Sequence, residues 1–134
     1  MKAPLDHARA LRHKAANDIT AARATLTTGE AFDTVCFHAQ QAVEKSLKAI
    51  LALHDIPYPW RHDLAELIEL TKPLNPEIAQ WEERLISLTP FAVEIRYDAE
   101  FEPTQEKAAE ALQTAIEFHA LCRQIVDAGA KAGD

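Results

Sequence analysis

The chain has 134 residues, 48% hydrophobic and 26% charged, with a net charge of −7. That is the length of one domain with a real core, and the balance excludes a disordered chain. The acidic total argues against a general nucleic-acid coat, and no apolar run approaches the roughly 20 residues that a membrane-spanning helix needs.

Charge is uneven along the chain. Residues 1–25 carry Lys2, Arg9, Arg12, Lys14 and Arg23 against Asp6 and Asp18, a net +3 that leaves −10 for the remainder. A basic first helix against an acidic body reads as a solvated face or an intramolecular match, with an anionic partner as the alternative. The His- and Arg-studded N-terminus is no secretory h-region, so a cytoplasmic location is expected. Only three glycines, Gly29, Gly129 and Gly133, interrupt long alanine-rich stretches. Helices joined by short loops are therefore expected, and no alternating run predicts a strand.

A first helix is predicted from about Leu5 to Leu26, with Leu11, Ala15, Ile19, Ala22 and Leu26 as its apolar stripe. Thr27 and Glu30 have capping-box spacing for a second helix, Ala31 to His54, that stops before Pro57 and Pro59. Asp63 is placed to cap a short third helix through Leu64, Leu67, Ile68 and Leu70. Asn75-Pro76 predicts the start of a fourth helix, reaching Leu88 and interrupted at Pro90. Residues 97–103 are read as a loop. Thr104 then caps a last helix through Ala108, Ala111, Leu112, Ala115, Ile116, Leu121 and Ile125, fraying at Gly129. The expectation is an all-α, up-and-down antiparallel bundle of four long helices plus one short helix. It forms one domain over 1–134, with a core at about 5–126 and a frayed tail at 128–134.

On the second helix, His38, Gln41, Lys45 and Lys48 share about one quarter of the circumference at ~100° per residue. Ala39, Val43, Leu47 and Ile50 form the adjoining core face. The polar row can donate hydrogen bonds to phosphate or carboxylate oxygens. It reads equally as structure: Gln40 and Gln41 satisfy groups at a helix crossing, Glu44 pairs with Lys48 at i,i+4, and His38 sits at a boundary. Arg96 follows the disrupted end of the fourth helix, and Tyr97 is expected to pack at the bundle edge. Trp60 and Trp81 are read as core or boundary anchors. Cys36 and Cys122 sit among apolar residues and are expected as buried, reduced thiols. The scattered histidines supply no metal-ligand spacing, and no cofactor is implied.

The succession FHAQQAVEKSLKAIL over residues 37–51, then His62-Asp63-Leu64, then Arg96-Tyr97, resembles the HEPN family (higher eukaryotes and prokaryotes nucleotide-binding domain) over roughly residues 5 to 126. That resemblance implies a helical bundle, homodimerisation, a minimal nucleotidyltransferase as partner in a two-gene, toxin–antitoxin-like system, and a nucleotide or other anion as ligand. The ligand residues expected are His38, Gln41, Lys45, Lys48 and Arg96, around a groove between helices two and four. Glu44, His62, Asp63 and Tyr97 are expected to support them.

Many members of that family cut RNA with an Arg and a His separated by four to six residues. Arg9 and His13 have only three residues between them, Arg12 and Arg61 each adjoin a histidine, and no other arginine has one at the required distance. The motif is absent. A non-catalytic module is the leading expectation. An RNA-cleaving toxin with a divergent pair such as His38 and Arg96 is the rival, and a homodimeric scaffold without ligand is a third reading.

Overall fold

The computed structural model describes residues 3–58, 63–92, 99–100 and 102–132. It consists of helices α1 (Pro4–Leu26), α2 (Phe32–Leu53), α3 (Leu64–Thr71), α4 (Glu82–Ile86) and α5 (Gln105–Ala132). Short 3-10 segments at Pro76–Trp81 and Thr89–Ala92 flank α4. The described residues contain no strand, as the sequence pattern predicts.

Cross-contacts set the directions. Asp18 of α1 meets His38 and Lys45 of α2, and His7 meets Tyr58 beyond the end of α2, so α1 and α2 are antiparallel. Ser46 meets Cys122 and Leu53 meets Gly129, so α5 runs parallel to α2. Between them, residues 64–92 climb back antiparallel to α5, with Trp81 against Phe118 and Arg84 against Thr114. The bundle is therefore up–down–up–down, with a broken third leg.

That leg departs from the expected long fourth helix. Asn75 takes φ −140° and ψ 89°, makes no side-chain cap, and accepts a tight hydrogen bond from Ile78 N–H at 3.0 Å. In a 3-10 turn residues three apart eclipse, so Ile78 and Trp81 face one core. Pro90 lies in the second 3-10 segment, where the interruption was expected.

Three other boundaries are set by local contacts. The Thr27–Glu30 capping box does not form. Thr27 Oγ1 donates back to Ala24 C=O at 2.7 Å, and Ala31, preceding α2, is left-handed at φ 53° with no side-chain cap. A capping side chain needs an extended backbone at that position, and this turn withholds it. Asp33, in the first turn, accepts from Thr34 N–H at 2.9 Å instead. At the other end, α2 closes before Pro57 is reached. Ile56 N–H bonds Leu51 C=O at 2.9 Å and Asp55 N–H bonds Ala52 C=O at 3.0 Å, with Asp55 left-handed at φ 55°. This is a Schellman motif built on Asp. Finally, α5 does not fray at Gly129 but continues to Ala132. A Cβ at Gly129 would lie 2.7 Å from Leu53 Cδ2, so this glycine lets two helices approach rather than ending one.

The expected core faces hold. Ala39, Val43, Leu47 and Ile50 are fully buried, with Leu64, Leu67, Ile68, Ile78, Leu85 and Phe118 around them. Each such Leu, Ile or Phe contributes about 1.5–3 kcal/mol on burial. Cys36 and Cys122 are free and buried, and burial pushes both thiols up to about 12. Asp63 caps α3 by accepting from Ala65 N–H at 3.0 Å, and Thr104 caps α5 by accepting from Lys107 N–H at 3.1 Å.

Candidate functional site

The polar row on α2 faces α1, and its charges have partners inside the fold. Asp18, with a side chain only 10% exposed, gives one carboxylate oxygen to His38 Nδ1 at 2.8 Å and the other to Lys45 Nζ at 2.6 Å. His38 and Lys45 are two helical turns apart, so a single carboxylate clasps both. A carboxylate only accepts, so His38 Nδ1 carries its hydrogen toward Asp18. The imidazole, about one third exposed, keeps Nε2 as its other edge.

A second chain of polar contacts runs alongside. Gln41 Nε2 donates to Gln40 Oε1 at 2.7 Å, and Gln40 Nε2 donates to Glu44 Oε1 at 3.2 Å. Lys48 Nζ donates to Glu44 Oε2 at 3.1 Å and lies 5.3 Å from the Tyr58 ring centroid. The Tyr58 hydroxyl and His7 Nε2 are 3.1 Å apart. Gln40 is wholly buried and Glu44 nearly so. A buried carboxylate is tolerable only when paired and hydrogen-bonded, and this network supplies both.

Four of the five residues expected to hold an anion, His38, Gln41, Lys45 and Lys48, are thus found together on one edge of α2. Asp18 and Glu44 already engage its imidazole and both ammonium groups. Arg96, Tyr97 and His62 lie outside the described residues, as does Trp60, and Asp63 is the α3 cap described above. Sequence reading missed Asp18 because it was counted only as one charge on a basic helix. The available signal was its place among Ala15, Ile19 and Ala22, inside the apolar arc of α1, where an acid needs a partner.

A cleft of about 400 Å³ lies elsewhere, between α4, the Thr89–Ala92 segment and the first half of α5. Leu88 and Phe91 give it apolar surface, and Arg84, Ser87, Lys107 and Thr114 give it a polar rim. Arg84 stacks 4.8 Å above the Trp81 ring and reaches Thr114 Oγ1 at 3.2 Å and Glu117 Oε2 at 3.4 Å. The Gln113 amide, and then Arg84, hold the Glu117 carboxyl below its ordinary range. Lys107 is exposed and has no carboxylate within ion-pair distance among the described residues. None of the groups that line the cleft was singled out from sequence. They are scattered over 30 positions, and only the return leg brings them together. No three His, Cys, Asp or Glu side chains among the described residues gather as a metal site.

The fold and its edge define an all-helical bundle whose second helix carries a buried acid–base network. A family model for the HEPN domain matches residues 8–125, and the chain belongs to that family. Neither a search of curated proteins nor one of solved structures gave a significant match. No helix among the described residues is long and apolar enough to cross a membrane.

Proposed function

We propose that this chain is a non-catalytic HEPN module that holds a nucleotide or other anion and works beside a minimal nucleotidyltransferase in a two-gene, toxin–antitoxin-like system. The observation carrying the ligand part of this reading is the cleft beside α4, where apolar surface adjoins the Lys107 ammonium. Asp18 clasps α1 to α2 through His38 and Lys45, while Glu44 holds Lys48 within α2. The anion is then received at the cleft by Lys107, with Arg84 held at the rim by Trp81 and Glu117 and with Leu88 and Phe91 offering apolar surface to a base. Pockets of this type combine apolar walls with a few placed polar groups. The domain works as a homodimer, in keeping with the dimerising habit of its family.

Isothermal titration with ATP, GTP and their monophosphates tests the ligand. Binding that Lys107→Ala and Arg84→Ala weaken, but Lys45→Ala leaves in place, fits the cleft. Absence of heat at millimolar nucleotide overturns the ligand reading. Co-purification with the product of a neighbouring nucleotidyltransferase gene tests the partner.

One observation favours the rival reading. Asp18 orients the His38 ring through Nδ1, an arrangement that suits Nε2 to accept a proton. Cleavage of total RNA by the purified protein, lost in His38→Ala, would replace the non-catalytic reading with a ribonuclease.

A further inference from the structure

The basic excess of α1 is not used by the α2 edge or by the cleft. Arg12 reaches across to α5, where its Nη1 meets Asp127 Oδ1 at 2.8 Å, and its backbone carbonyl accepts from His119 Nε2 at 3.2 Å. On α5, His119, Arg123 and Asp127 follow one another at four-residue intervals, so Arg123 stands on the flank that Arg12 meets. Arg9 stands one turn before Arg12 on α1. Three guanidiniums therefore border one carboxylate. Their proximity has a second signature: Arg12 first, then Arg123 and Arg9, hold the Asp127 carboxyl below its ordinary range. The seam is net +2 on a chain of net −7.

Arg9 and Arg123 are exposed, and neither has a carboxylate within ion-pair distance among the described residues. Lys45, Lys48, Lys72 and Arg84, by contrast, each have one. Like charges left together on an acidic protein cost self-repulsion unless an external anion relieves it.

We propose that the arginine seam between α1 and α5 docks the phosphodiester backbone of a nucleic acid. Guanidinium forks match phosphate oxygens; Arg9 and Arg12 are spaced by about one helical turn, ~5 Å, along α1, and Arg123 faces the same carboxylate from α5. Among the described residues no Phe, Tyr or Trp is placed in the seam, and the His119 ring is tied to the Arg12 carbonyl, so the seam contacts backbone and does not read bases. An acidic protein partner fits less well, because protein interfaces rely on apolar or aromatic anchors. The large exposed apolar side chains, Leu70 and Ile86, lie on α3 and α4. This inference stands apart from the cleft, which mononucleotide titration tests.

The test is fluorescence anisotropy of the full chain with labelled single strands of RNA and of DNA of one sequence, over a range of salt. At low salt either strand should bind. Removing two cations in R9A/R123A should weaken binding several-fold and lower the log–log salt slope by about 1.4. Lys14→Ala, on the opposite side of α1, should lower it by less than half as much. Asp127→Asn should tighten binding although it loosens the helix pair, a sign that a purely structural pair does not give. Circular-dichroism melts confirm that the variants remain folded. The proposal is overturned if neither strand binds at low salt, or if Lys14→Ala matches an arginine variant. Polyglutamate binding as tightly, and losing affinity in the same variants, also overturns it.

Discussion

Helix α1 is fastened on two sides by ion pairs of similar chemistry and opposite setting. Toward α2, Asp18 holds Lys45 and His38 while Glu44 holds Lys48 nearby, with the two carboxylate side chains only 10% and 4% exposed. Toward α5, Arg12 holds Asp127, whose side chain is 54% exposed. The difference lies in water. A carboxylate withdrawn from solvent makes the fold depend on its partner, because breaking the pair leaves an uncompensated charge. An exposed pair has solvent as a substitute and is screened by salt. The inner pairs therefore hold the fold, whereas the outer pair can exchange its partner for solvent.

The largest effect should come from the innermost carboxylate. Glu44→Ala strands Lys48 and removes the acceptor of buried Gln40, so unfolding free energy should fall by about 3 kcal/mol, read as the shift in urea midpoint. Replacing the pair together, Glu44→Leu with Lys48→Met, should recover most of that loss. If the single and double variants are equally unstable, the inner seam matters for packing and not for charge.

Asp18→Asn should cost less, about 2 kcal/mol, because an amide oxygen still accepts one hydrogen bond while Lys45 and His38, each about one third exposed, turn toward water. A loss equal to that of Glu44→Ala would erase the gradient with depth on which the comparison rests.

At the outer seam, Asp127→Ala should have a smaller effect than either, and 1 M NaCl should abolish it. The depressed Asp127 carboxyl makes the pair present above its ordinary value of 3.8 and lost as pH falls below it. A denaturation series from pH 2 to pH 7 reads this. A salt-independent loss would mean that the seam is not screened by solvent.

The smallest expected effect is the slope contributed by His119. Burial first, and then the fields of Arg12 and Arg123, lower its imidazole below 6.5, while its bond to the Arg12 carbonyl opposes them. The folded state thus prefers the neutral ring. Stability is full above pH 6.5 and declines as pH falls below it, because the unfolded chain takes up the proton first. His119→Gln should flatten that slope in denaturant titrations between pH 5 and 7.

Much of the fold was legible because periodicity and capping are local. Ala15, Ile19 and Ala22 on α1 and Ala39, Val43, Leu47 and Ile50 on α2 were placed by spacing alone, and all are buried. Asp63 and Thr104 cap as their residue types require. The misplaced features depend on neighbours distant in sequence. Gly129 reads as a helix stop until Leu53 is seen against it, and Asn75-Pro76 reads as the start of a long helix until Ile78 and Trp81 must share one core. The candidate site shows the same division. Gathering His38, Gln41, Lys45 and Lys48 onto one edge needs only the helical repeat, whereas Asp18 lies 20 residues from His38 and 27 from Lys45.

The sequence by itself determined an all-helical bundle, its apolar faces and its buried thiols, since each follows from residue type and short-range repeat, while the family rested on the resemblance of its second-helix string and on the family match. Tertiary structure alone decided which charges are occupied and which remain open. A charge's role depends on how much water it loses and which opposite charge it meets, and both are set by helix packing, not by position along the chain.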